Sequence, residues 1–356
     1  MAVRVVQWAT GAVGRAQLQE LIENPDFELV GVLVYGADKD GVDAGELCGL
    51  APCGVLATSD KEAIFALAAD VVVHAASKAH EANTNAEDIC RLLADGTNVV
   101  TTTSYNHLPV CGADLTAQFE EACAAGGTRF HAAGENPGFM MERLVATVTG
   151  LSRTIDRIDL YEATDVSRVP SRPMLVDLMG MGRRPDEVSI DSPIFKKLDI
   201  AYQQAISATA EVLGVELEKV EKSVECTTLP YDIEVAAGTI EAGTVVGQRF
   251  SWLGHFDGRV LFAIHEEWVV TRDLPQWGLE PLAPGAKAPL IRAVISGVPG
   301  FELSLDVGWD QIPPELEGTS PGHLMIGMSG VRAIPYVLAS PPGIVKAPVF
   351  GALQVR

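Results

Sequence analysis

Apolar and polar positions follow two different rhythms along the chain. Over residues 1–135, short continuous apolar runs alternate with stretches whose apolar residues recur three and four positions apart. Val3–Trp8, Glu28–Val34, Asp70–His74, Asn98–Thr102 and Thr128–Ala132 read as buried strands. Between them, Ala12–Glu23 carries Val13, Leu18, Leu21 and Ile22 on one helical stripe, stopped by Asn24-Pro25. Residues 84–95 and 113–125 read as helices closed by glycine, and Ser59-Asp60-Lys61-Glu62 as a capping box opening another. Continuous apolar strands alternating with helices predict an α/β domain, a parallel doubly wound sheet covered on both faces.

From Thr154 onward the period changes. "TIDRIDLYEATD" (154–165) alternates apolar and polar residues, as a half-buried strand does. Strands are predicted at 219–227, 231–237, 239–256, 259–271 and 301–307, with one long helix from Phe195 to Leu213. The helix predicted at 135–148 leaves the first domain. Gly- and Pro-rich stretches at 275–289 and 311–322 read as loops, and Gly322–Ala339 as a last helix distorted by Pro335. The pattern predicts a C-terminal α+β domain on an open mixed or antiparallel sheet, with the first domain at 1–150 and the second at 151–314.

Composition narrows the partners. The 356 residues carry a formal net charge of −21 with no Lys/Arg cluster, which argues against nucleic acid and anionic membranes. No apolar run approaches the ~20 residues that span a bilayer, and strand-like sequence begins at Val3, so neither a membrane segment nor a signal peptide is expected. Six cysteines at 48, 53, 90, 111, 123 and 226 form no CxxC pair, which predicts a reduced, cytoplasmic protein without structural zinc.

The first strand and helix are joined by "WATGAVGRA" (8–16). Strand, glycine turn and helix together aim backbone N–H groups at a diphosphate. Thr10, Gly11, Ala12, Val13 and Gly14 are therefore candidate cofactor-binding residues, Gly11 for close approach and Gly14 for helix–strand packing. Ala9 stands where glycine is usual, which is tolerable if its φ stays negative. A plain structural βα turn is the competing reading. The second strand ends in Val34-Tyr35-Gly36 with no carboxylate at its tip. That favours NADP over NAD, or use of both, with Tyr35 nearby and Lys39 meeting a 2′-phosphate; a solvated loop lysine is the alternative.

Four phrases carry a family resemblance: "QWATGAVGRA" (7–16), "YGADKDGVDAGELCG" (35–49), "AGENPGFMMERL" (133–144) and "VRAIPYVLASPPGI" (331–344). They resemble the dihydrodipicolinate reductase-like oxidoreductases, in particular the 2,4-diaminopentanoate dehydrogenase and native amine dehydrogenase branch. The resemblance implies an N-terminal Rossmann dinucleotide-binding domain, rejoined by a C-terminal segment at 315–356. It also implies a second domain for substrate and oligomer assembly, and a homo-oligomer, with a dimer favoured. The implied reaction is hydride transfer between nicotinamide and a C=N or C=O carbon. That branch places a glutamate after the fifth strand, whereas this chain has Ser104-Tyr105-Asn106-His107 and no carboxylate there.

Chemistry in such a domain lies beyond the carboxyl ends of the strands. Ala75, Ala76 and Ser77 are small enough for a dinucleotide to pass closely, and Thr102 ends the next strand. In "TTTSYNHLP" (101–109), Tyr105 and His107 are the candidate proton donors, against the reading of an ordinary turn. In "GENPGF" (134–139), Asn136 and the Gly138 backbone are expected at the nicotinamide carboxamide, and Glu135 is a spare carboxylate. Met174, Leu175, Met179 and Met181 suggest an apolar wall, or else a helix facing the core. No metal site is expected at His265-Glu266-Glu267, because a strand sends alternate side chains to opposite faces. The expected function is an NAD(P)H-dependent oxidoreductase acting on C=O or C=N of a small, largely apolar substrate. The alternatives are an amine or diamino-acid dehydrogenase with a displaced acid, and a nicotinamide-binding regulatory protein without chemistry.

Overall fold

The computed structural model describes residues 2–76, 82–280, 290–307, 316 and 318–355. The chain forms two compact units, residues 1–140 with 310–348 and residues 141–309 with 349–356. The first boundary thus falls at Met140 rather than 150, and the last residues join the second unit instead of the first. They are held there by backbone pairing of Val355 N–H with Leu213 O (2.9 Å) and by Gln354 Nε2 on Val212 O (2.9 Å).

The first unit begins with β1 (Val3–Trp8), α1 (Ala12–Glu23), β2 (Phe27–Leu33), α2 (Ala44–Leu47), β3 (Ala57–Thr58) and α3 (Lys61–Phe65). It continues with β4 (Val71–His74), α4 (Ala82–Ala94), β5 (Asn98–Thr101), α5 (Leu108–Cys111), α6 (Ala113–Gly126) and β6 (Arg129–Ala132). The second unit holds α7 (Ala146–Thr149), β7 (Thr154–Asp165), α8 (Pro193–Val212), β8 (Lys219–Thr228), β9 (Ile233–Val235) and β10 (Gly238–Ile240). Then come β11 (Val245–Phe256), β12 (Arg259–Val269), β13 (Leu290–Val298) and β14 (Phe301–Asp306). The first unit is completed by α9 (Pro321–Ala339) and β15 (Gly343–Ile344).

The strands of the first unit form one parallel sheet in the order β15-β6-β5-β4-β1-β2-β3. The chain winds outward from β1 through β2 to β3, then crosses to β4 and winds the other way. The direction therefore switches between β1 and β4, and a crevice opens beyond the carboxyl ends of those two strands. Val5, Val6, Trp8, Val71, Val72 and Val73 are buried, as strands covered on both faces require. Capping of α3 falls one residue later than predicted: the Asp60 side chain, not Ser59, accepts from Glu62 and Ala63 N–H.

The second unit is a six-stranded mixed sheet, β14-β13-β7-β12-β11-β8, in which β7 and β12 run parallel. β13 was not predicted; it directly follows a Gly/Pro-rich stretch, and its alternation uses a small residue, Ala293, between Ile291 and Ile295. The strand predicted at 239–256 is two strands broken by a turn at Gly243, φ +77°. One face of the sheet carries α8, whose Phe195 and Tyr202 rings stack on Trp252 at 5.0 and 4.4 Å.

Candidate functional site

The glycine turn begins where β1 leaves the sheet. Ala9 N–H still pairs with Leu33 O (2.9 Å), but Ala9 then adopts φ +74°. The negative φ expected for this alanine is not what the turn demands. A left-handed backbone costs an L-residue ~1–2 kcal/mol, which is the reason glycine is usual here. Buried amides hold the strained residue in place. Gln7 Nε2 donates to Ala9 O (2.9 Å) and to Gln17 Oε1 (3.1 Å), and Gln17 Nε2 donates to Gly327 O (3.4 Å). Gly14 lies directly behind the turn, where a Cβ would stand 2.1 Å from Ala9 O. Gly11 is the opposite case: it is the N-cap of α1, and a Cβ there would meet nothing within 4 Å. No side chain caps α1, and its first turn has no acidic residue. Its first N–H groups are thus left for an anion.

A cleft of about 460 Å³ opens in front of this turn, entirely within the first unit. Thr10, Gly11, Ala12 and Val13 line one side, Tyr35, Gly36 and Lys39 another, and Ala75, Ala76, Thr102 and Thr103 the floor. The structure therefore brings together the turn, Tyr35, Lys39, Ala75, Ala76 and Thr102 as sequence reasoning expected. Ser77 lies outside the described residues. Lys39 Nζ is anchored at the turn by Thr10 O (3.0 Å) and Thr10 Oγ1 (3.3 Å). Tyr35 OH accepts from Trp8 Nε1 (2.9 Å). Uncapped N–H groups, a floor of small side chains and an ammonium beside them suit a nicotinamide dinucleotide.

His323 and Ile326 of α9 also line the cleft, and sequence reasoning missed both. The available signal was Ser320-Pro321, an N-cap and N1 pair, which starts α9 one residue before the predicted Gly322.

The loop after β5 separates the two proposed proton donors. Tyr105 packs into the core on Phe119, with ring centroids 5.3 Å apart, and does not line the cleft. Burial, helped by the nearby Cys111 and Cys90, pushes its phenol up to about 12. Its ring is thus taken up by core packing, and the raised phenol is a weaker acid than an ordinary tyrosine. His107 is the N-cap residue of α5, without a side-chain capping hydrogen bond; it is half-buried and, like Tyr105, is not among the residues lining the cleft. Asn106 ties this loop to the next one, with Nδ2 donating to Ala132 O (3.2 Å) and Pro137 O (3.4 Å). Asn136 and Gly138 belong to that next loop and do not line the cleft described above. The loop is tightly wound: Gly138 has φ +125°, and a Cβ at Gly134 would stand 2.2 Å from Pro137 O. It delays the helix predicted from Glu135, so that helical turns begin only at Met140.

Other titratable groups serve the fold. His74 is fully buried against Thr101 Oγ1 (3.1 Å), and burial pulls it down to about 3, so it stays neutral. The six cysteines are free thiols, and burial pushes Cys111 and Cys123 up to about 11. In the second unit Leu175, Met179 and Met181 are core residues rather than an open apolar wall. His265 and Glu266 point to opposite faces. His265 bonds Ser251 (2.7 Å) and Asp159 (3.2 Å), while Glu266 accepts from Tyr202 OH (2.6 Å) and Trp268 beside Glu162. Burial, and then the neighbouring Glu162, hold the Glu266 carboxyl well above the usual range. Among the described residues no group of His, Cys, Asp and Glu is arranged to hold a metal ion.

A doubly wound parallel sheet with a donor-lined cleft at its switch point is the architecture of a dinucleotide-binding oxidoreductase. Residues 4–108 match the family described as "Dihydrodipicolinate reductase, N-terminus". The chain is 29% identical to an amine dehydrogenase of Streptomyces virginiae, over 97% of this chain and 95% of that protein. It is 22% identical to the 2,4-diaminopentanoate dehydrogenase of Acetoanaerobium sticklandii, over 93% and 95%. The solved structure of an amine dehydrogenase from Mycobacterium smegmatis shares the fold, with a TM-score of 0.67 at 20% identity, covering 100% of this chain and 98% of that one. The chain is an NAD(P)-dependent oxidoreductase, similar to dihydrodipicolinate reductases over part of its first unit and to amine and diaminopentanoate dehydrogenases over nearly its whole length. Among the described residues no helix is long and apolar enough to cross a membrane.

Proposed function

We propose that this oxidoreductase exchanges hydride with a C=O or C=N carbon of a small molecule and prefers NADP to NAD. The observation that carries the preference is Lys39 Nζ held at the glycine turn, with no carboxylate at the tip of β2. The α1 N–H groups hold the diphosphate, Ala75 and Ala76 let the dinucleotide backbone pass, and Lys39 pairs with the 2′-phosphate. The bound nicotinamide supplies or accepts the hydride. His107 is the proton donor and acceptor, on a loop that Asn106 holds in place. The active form is a homodimer, which light scattering tests, and its free thiols suit a reducing cytoplasm. The deciding experiment compares NADPH and NADH affinities before and after Lys39→Ala; an unchanged NADPH affinity refutes the preference.

Reversible amine dehydrogenation is the second reading, favoured by the whole-length similarity to the Streptomyces enzyme. Glu135 then stands in for the carboxylate missing after β5. Turnover of ketones that requires ammonia, and that is lost in Glu135→Gln, selects this reading.

A further inference from the structure

We propose that His323 is a dinucleotide-binding residue, a neutral imidazole that donates its Nε2–H to the cofactor diphosphate. The inference rests on the nicotinamide reading of the cleft. His323 lines the same cleft as the glycine turn, more than 300 residues away in sequence. Its ring is fixed by Ser320. The Ser320 backbone N–H donates to His323 Nδ1 (3.2 Å), and Ser320 Oγ accepts from His323 N–H (3.2 Å). This is a reciprocal capping box with histidine where glutamate or glutamine is usual. A backbone N–H only donates, so Nδ1 presents its lone pair, and the Ser320 hydroxyl, 3.0 Å from the same Nδ1, is then a second donor to it. The hydrogen of the neutral ring therefore sits on Nε2. Burial also pulls the His323 pKa below its ordinary value, which supports the neutral form.

Packing of α9 sets where that donor is delivered. One turn beyond His323, Gly327 lies against α1, and a Cβ there would be 3.3 Å from Val13 O and 3.4 Å from Gln17 Cγ. A Cβ added at Gly330 would lie 3.1 Å from Gln17 Nε2. These two glycines let α9 lie tightly on the helix whose first turn faces the diphosphate. With Nδ1 committed to Ser320, the Nε2–H is the hydrogen-bonding group the ring has left to offer the cleft.

Calorimetric titration of the full-length protein with NADPH and with ADP-ribose tests this, alongside the melting temperature. His323→Glu keeps the capping box, so its melting temperature stays near that of the unmodified protein. It replaces the donor with a carboxylate, so Kd rises about tenfold or more for both ligands. His323→Gln keeps both an acceptor for Ser320 N–H and a donor amide, and holds Kd within about threefold. His323→Leu removes the donor without adding charge and is expected to lose about fivefold or more. Unchanged Kd values in the Glu and Leu variants overturn the assignment while leaving the cofactor reading intact. Failure of the unmodified protein to bind either ligand overturns both.

Discussion

Gly11→Ala and Gly14→Ala add the same methyl to the same helix and should fail in different ways. At Gly14 the new Cβ would lie 2.1 Å from Ala9 O and 3.1 Å from Gln7 Nε2, the donor to that oxygen. The obstacle is backbone and cannot rotate away, so α1 and the turn must separate by roughly 1 Å to reach ordinary contact. Overpacking of this kind costs about 1–3 kcal/mol. Losing the buried Gln7–Ala9 hydrogen bond adds about 1 kcal/mol. The better helix propensity of alanine returns about 1 kcal/mol. The net expectation is a loss of about 1–3 kcal/mol in urea unfolding, with weakened NADPH binding because the α1 N-terminus moves. At Gly11 φ is −72° and nothing lies within 4 Å, so the methyl meets no clash and stability should fall by no more than about 1 kcal/mol, the cost of alanine at an N-cap. The same methyl stands where the diphosphate must approach, so NADPH Kd, read by fluorescence titration, should rise about tenfold or more, or ~1.4 kcal/mol. A Gly11→Ala protein that binds NADPH normally would show that the diphosphate does not cross Gly11. A Gly14→Ala protein with unchanged urea unfolding would refute the close approach to Ala9.

Further outcomes follow from the same geometry. Lys39→Ala should weaken NADPH about tenfold, one charge-assisted contact, and leave NADH within about twofold in parallel titrations. Tyr105→Phe should keep kcat within about twofold, since its ring packs on Phe119 in the core, whereas His107→Ala should lower kcat about a hundredfold at saturating cofactor. Equal effects in the two variants would remove His107 from its proposed role. The Glu266 carboxyl has a folded-state pKa raised above its ordinary 4.5. Its protonated form is therefore favoured by folding, and stability is fullest below 4.5 and falls as pH rises through the folded-state pKa. Glu266→Gln should flatten that fall in urea unfolding measured across pH, and an unaltered slope would count against the buried carboxyl pair. His74, pulled down to about 3, works in the opposite sense: the first unit loses stability as pH falls from 6.5 toward 3, and His74→Gln should remove part of that loss.

Much of the first unit was legible because its determinants are local. A strand buried on both faces is a continuous apolar run, and Asn24-Pro25 and Gly126-Gly127 stop helices wherever they occur. The turn from Thr10 to Gly14 is likewise contiguous, so its place between strand and helix could be read before its backbone angles were known. The second unit was less legible. An alternating strand such as β13 is hard to distinguish when its apolar set includes a small residue and a Gly/Pro-rich stretch precedes it.

The chain's order of residues by itself determined the β-α-β rhythm, the uncapped α1 and the missing carboxylate at the β2 tip, because each depends on neighbours within a few positions. Only the tertiary structure decided that Ala9 must take a positive φ, that Tyr105 turns into the core, and that His323 joins the glycine turn. It also decided that Glu162 and Glu266 meet, through the parallel register of β7 and β12. Those facts depend on helix packing, strand register and the side of a loop a residue falls on. Long-range contacts settle all three, and no local pattern of apolar and polar residues encodes them.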